Sequence, residues 1–129
     1  MDNFARFRRS EILIYENSDY QQAEKYLKAI LQTKDFMRAE TYEMLGDIEF
    51  HKAEKGKVEA FRNAVVNYRE SVKYKPTRVH PYVKLGQTNE KLRDFDDAIL
   101  AYEKALQRDS TNFIAQYRLG CVLLKEGRK

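Results

Sequence analysis

Glu40, Glu43, Asp47 and His51 follow one another at intervals of three or four residues, the spacing that lines side chains along one face of an α-helix. A row of three carboxylates and an imidazole has two chemical uses. With a further ligand, for which His80 is the candidate, it could hold a divalent cation. Without one it is an acidic wall, either solvated, or paired with Lys84 and His80, or facing a basic or amide-rich peptide. The wall is the reading carried forward, and neither a metal nor any other cofactor is expected.

No other group of residues points to catalysis. The sequence has no GxSxG elbow, no phosphate-binding glycine loop, no HExxH pair and no paired-cysteine metal motif. Cys121, the single cysteine, stands beside Val122, Leu123 and Leu124 with no activating base nearby, so it reads as a small buried hydrophobe. A non-catalytic protein is expected. One cysteine forms no internal disulfide, which makes a reducing, cytoplasmic compartment the default. No apolar run approaches the 18 or so residues of a membrane span, and the opening residues 1–9 lack the apolar core of a secretory signal.

The net charge of +4 is spread rather than concentrated. Residues 1–38 carry 7 basic and 6 acidic groups, residues 39–78 carry 8 and 7, and residues 79–112 carry 5 and 6. Only the last 17 residues are lopsided, with 4 against 1. Nucleic acid asks for a dense basic stripe. Binding through Arg6, Arg8, Arg9 and the basic C-terminal tip is therefore disfavoured.

The acidic row needs helices to carry it, and a repeat supplies them. Leu85-Gly86 returns as Leu119-Gly120 after 34 residues, and Ala64, Tyr68 and Ser71 return as Ala98, Tyr102 and Ala105 after the same 34. Leu45-Gly46 precedes Leu85-Gly86 by 40, so six residues are inserted, between His51 and Glu59. Fixed-period self-similarity marks one small helical unit stacked on copies of itself. Gly46, Gly86 and Gly120 are expected at equivalent crossings, because glycine inside a helix costs about 1 kcal/mol and needs a packing reason. Seven helices follow, at about 3–16, 19–33, 38–55, 58–74, 79–92, 95–108 and 112–126. Asp19, Asp94 and one of Ser110, Thr111 or Asn112 are the expected N-caps. Gly56 should end the third helix, and the insertion is expected to lengthen both helices of its hairpin rather than only the turn.

The third copy reads Tyr82-x2-Leu85-Gly86-x2-Asn89, then Asp94-Phe95-x2-Ala98-x3-Tyr102-x2-Ala105. This resembles the tetratricopeptide repeat. The copy from about Ala39 matches in both halves, with Tyr42, Leu45-Gly46, Phe61, Ala64, Tyr68 and a closing Pro76. The first is clear only in its second half (Asp19-Tyr20, Ala23, Leu27, Ile30), with one extra residue in the linker around Lys34–Arg38. Asn89 departs from the pattern, standing where the family prefers an aromatic.

The resemblance implies an all-α, right-handed α-solenoid forming one domain. Its repeats would run from about 4 to 38, 39 to 78 and 79 to 112, with an unpaired helix at 113–127. It also implies a non-catalytic scaffold whose opening helices line a concave groove for a protein or peptide. The groove residues would be Glu40, Glu43, Asp47, His51, His80, Val83, Gln87 and Tyr117, and the acidic side suggests a basic partner. Replacing Glu43 and Asp47 should then cost little stability. One subgroup of the family clamps acidic chaperone tails with basic and amide groups; Glu43 and Asp47 at matching places disfavour that use. Phe113, Ile114, Tyr117, Leu119 and Val122–Leu124 make the last helix apolar around most of its girth. A capping helix should be polar outside. Either the array continues, or Phe113, Leu123 and Leu124 meet a second copy of the chain.

Overall fold

The computed structural model describes residues 2–16, 18–33 and 36–127. Seven α-helices and no strand occur among them: α1 Asn3–Tyr15, α2 Tyr20–Leu31, α3 Arg38–Glu54, α4 Ala60–Tyr74, α5 His80–Lys91, α6 Phe95–Arg108 and α7 Phe113–Lys125. The strongest packing is within the hairpins α1–α2, α3–α4 and α5–α6, and each hairpin leans on the next through α2–α3, α4–α5 and α6–α7. This is an all-α helical repeat. The linker at 34–35 and the basic tip at 128–129 lie outside the described residues.

Small residues set the hairpin crossings. A Cβ built on Gly46 would stand 2.6 Å from the Tyr68 ring, and one on Gly86 would stand 2.5 Å from the Tyr102 ring. Each tyrosine is wholly buried and lies flat over the glycine of its own hairpin. Ser71 tightens the first of these crossings by donating to the Ala39 carbonyl at 2.7 Å. Gly120 departs from the expected equivalence. Among the described residues nothing stands within 4 Å of its would-be Cβ, and none of them lays a tyrosine ring over it as Tyr68 and Tyr102 do over Gly46 and Gly86.

Caps and turns follow local chemistry. Asp19 accepts from the Gln22 amide at 3.2 Å and Asn112 from that of Ala115 at 2.9 Å, each satisfying an otherwise unpaired helix donor. Asp94 makes no such side-chain bond. Its backbone is committed to closing α5, with its N–H on the Asn89 carbonyl at 2.8 Å. At the end of α3, Gly56 adopts φ +120. The Gly56 amide donates to Ala53 and that of Lys57 to Lys52, both at 3.1 Å, a Schellman turn.

The insertion is absorbed unequally. Measured from the paired glycines and alanines, α3 runs three residues beyond the end of α5, the turn is two longer, and α4 begins one earlier. The reason is in Lys57–Glu59, whose carbonyls accept i+3 bonds from Ala60, Phe61 and Arg62. That tight turn spends residues before α4 can start, so α3 takes most of the helical extension.

Candidate functional site

Two adjoining clefts open along the opening helices. One, of about 310 Å³, lies between α1, α3 and Arg78 of the α4–α5 linker. The other, of about 300 Å³, lies among α1, α3, α5 and Tyr20. Tyr15 borders both, so they form one furrow. Phe7, Met44, Ile14 and Phe50 provide apolar surface; Glu40, Glu43, Asp47 and Glu54 provide carboxylates.

The acidic row is real in space but heavily partnered. Glu40 pairs with Lys75 at 2.7 Å through one oxygen; its other oxygen is buried with no hydrogen-bond partner among the described residues. Burial pushes the Glu40 carboxyl up, but the Lys75 ammonium outweighs it and holds the group below the ordinary glutamate value. Glu43 is 8% exposed. It accepts from Arg78 Nε at 3.0 Å and faces His80 Nε2 at 3.5 Å. Here burial prevails over Arg78 and His80, and the Glu43 carboxyl is raised. Asp47 accepts from the Tyr15 hydroxyl at 2.8 Å and from the Tyr68 hydroxyl through its other oxygen. Desolvation first, then the Asp47 charge, pushes both phenols above their usual value, so they remain donors.

Glu43, Asp47 and His80 offer ligand atoms within 4.8 Å of one another. His51 does not join them; it stacks on Tyr20 with ring centroids 4.1 Å apart. With Arg78 already on Glu43 and a phenol on each Asp47 oxygen, the cluster works as a network of ion pairs and hydrogen bonds. Glu43 and Asp47 therefore hold α3 to the α4–α5 linker and to α1 and α4. This differs from the expectation that their replacement would cost little, and the reason is burial that periodicity alone does not reveal.

The other groove candidates scatter. Gln87 is half-buried on α5, and Tyr117 is 61% exposed on α7. Val83 is buried in the core with Ala98, Ile99 and Tyr102, turned inward rather than into the furrow. Lys84 places its ammonium 3.8 Å from the centre of the Phe50 ring, and desolvation lowers its pKa. Among the oligomer candidates, Phe113 and Leu124 are 74% and 76% exposed, whereas Leu123 packs against the core.

Among the furrow members that sequence reasoning missed are Arg78, Tyr15 and Tyr20. Arg78 lies in a linker, where no periodicity applies. Tyr15 sits in the helix without the Leu-Gly pair, and Tyr20 served only as a repeat anchor. A second missed cluster joins α5, α6 and α7: Arg118 grips Glu90 with two hydrogen bonds of 2.9 Å, and Tyr102 donates to the same carboxylate. Desolvation and the Glu90 charge push the Tyr102 phenol up, and Glu90 raises Arg118.

Comparison with known proteins agrees with this architecture. A sequence profile described as the tetratricopeptide repeat matches residues 80–112. A solved structure described as the first such domain of Spaghetti (RPAP3), bound to the HSP90 peptide SRMEEVD, superposes with a TM-score of 0.84. The likeness covers 97% of this chain and 93% of that one at 14% identity, so it speaks to the fold. No curated protein matches the sequence.

Proposed function

Because this chain is a tetratricopeptide-repeat protein, we propose that it is a protein-interaction scaffold that holds a partner's extended segment in the furrow along α1, α3 and α5. The observation that carries the reading is the free oxygen of Glu40. A buried carboxylate oxygen without a donor costs free energy, and a lysine, arginine or amide from a bound segment would satisfy it. Glu54 extends the same preference along the furrow, and Phe7, Met44 and Phe50 offer contacts for apolar side chains. The segment is thus basic with apolar residues interspersed. Helices joined by short turns preform the furrow, so the main cost of binding is ordering the ligand. The domain superposed above is described with a peptide carrying two glutamates and an aspartate; here Glu40, Glu43 and Asp47 would meet such a peptide with like charge.

A displayed library of random decapeptides, selected on the immobilised protein, tests this. Recovered sequences should be enriched in lysine and arginine, and their amide shift perturbations should fall on α1, α3 and α5. Glu40→Lys should abolish the enrichment. Recovery of acidic sequences, or perturbations confined to other faces, overturns it.

One observation favours a second reading. Phe113, Tyr117 and Leu124 are all more than half exposed on α7, so that helix could join two copies. Sedimentation should then show a concentration-dependent dimer that Leu124→Glu dissolves. A monomer throughout removes this reading.

A further inference from the structure

A separate cavity of about 320 Å³ lies between α4 and α6, floored by α5. On α5 it uses Tyr82, Leu85 and Asn89, which point about 150° away from His80 and Lys84 of the furrow by the 100° step of a helix. Asn89 stands where the repeat pattern has an aromatic ring, and the cavity lies beside that missing ring. The Asn89 residue is 2% exposed, yet no hydrogen bond within the described protein accounts for its side-chain amide. Its polar atoms are not sealed in either, which leaves the cavity as the space they open to. A buried amide in that position waits for a partner.

The lips of the cavity are cationic. Arg69 and Lys73 on α4 face Lys104 on α6, against the single acid Asp97, which sits 3.7 Å from Arg69. Lys73 and Lys104 have no acidic partner among the described residues. Val72, Leu85 and Ala101 line the space beneath them.

We infer that this cavity is a second binding site, which takes one tyrosine side chain from an acidic segment of a partner protein. The ring replaces the one absent at position 89, and the phenol exchanges a hydrogen bond with the Asn89 amide. Carboxylates flanking the tyrosine meet Lys73 and Lys104. The volume is near the lower limit of ligand pockets, about 300 Å³, which suits a single side chain. Its acidic preference is opposite to that of the furrow, so the two sites do not compete for one ligand class.

The test uses three N-acetylated, C-amidated peptides, Glu-Glu-Xaa-Glu-Glu with Xaa as Tyr, Phe or Ala, titrated into isotope-labelled protein. The Tyr peptide should shift the Asn89 side-chain amide signal saturably. It should bind roughly three- to tenfold more tightly than the Phe peptide, the share of one neutral hydrogen bond, and the Ala peptide should leave Asn89 unmoved. Lys73→Glu with Lys104→Glu, both at exposed positions, should weaken the Tyr peptide about tenfold at low salt without moving the thermal midpoint. Asn89→Tyr should fill the cavity and block the peptide. Shifts on Tyr15 and His51 with none on Asn89, or equal affinity for the Tyr and Ala peptides, would overturn the assignment. So would binding unchanged by the charge reversals.

Discussion

At the residue scale, three glycines that look alike in sequence separate by what lies above them. Alanine in place of Gly86 gains helix propensity of about 1 kcal/mol, but its methyl would meet a buried Tyr102 ring that Glu90 holds in place. The clash prevails, and Gly86→Ala should destabilise by about 1–3 kcal/mol. Gly120→Ala meets nothing and should stabilise by up to about 1 kcal/mol. Urea unfolding of the two variants checks the opposite signs. Glu40 and Glu43 also diverge, in their response to acid. The Glu40 carboxyl is lowered by Lys75, so its favourable contribution is complete above the ordinary value of about 4.3 and is lost as pH falls through the lower folded value. The Glu43 carboxyl is raised by burial, so its contribution grows as pH falls. Lys75→Met should move the Glu40 carboxyl ¹³C titration midpoint upward. A midpoint that stays low would assign the shift to another group.

At the element scale, one inter-hairpin contact is made twice with different chemistry. Lys84 and Arg118 are 34 residues apart, and their targets Phe50 and Glu90 are 40 apart, the intervals of the repeat. Lys84 rests on a ring face and Arg118 on a carboxylate whose side chain is 4% exposed. Register was thus preserved while charge was not. Arg118→Ala leaves Glu90 buried without its cation and should cost about 2–4 kcal/mol. Lys84→Met keeps the apolar contact, strands no carboxylate and should change stability by less than about 1 kcal/mol. Thermal melts of the two variants give the comparison, and equal losses would mean that the two contacts are alike in kind.

At the scale of the whole molecule, stability in a stacked array depends on neighbours. α3 carries nine buried residues and packs on both sides, while α7 buries only Ala115 and Val122. Native-state hydrogen exchange should therefore find the central helices most protected and α7 opening first. Protection of α7 equal to that of α4 would instead indicate a covered end, as a dimer through Phe113 and Leu124 would provide.

The sequence by itself determined seven helices, their pairing and the crossings at Gly46 and Gly86, because a fixed period and small residues at one register leave a single way to pack. It also placed Glu40, Glu43 and Asp47 on one face. Tertiary structure alone decided which of those carboxylates keeps an oxygen without a donor. Arg78 arrives from a linker, Tyr15 from another hairpin and Tyr68 from the paired helix, and no spacing along the chain encodes such meetings. The cavity beside Asn89 was visible in sequence only as a departure from a pattern. Its meaning depends on the cations that α4 and α6 bring to its rim.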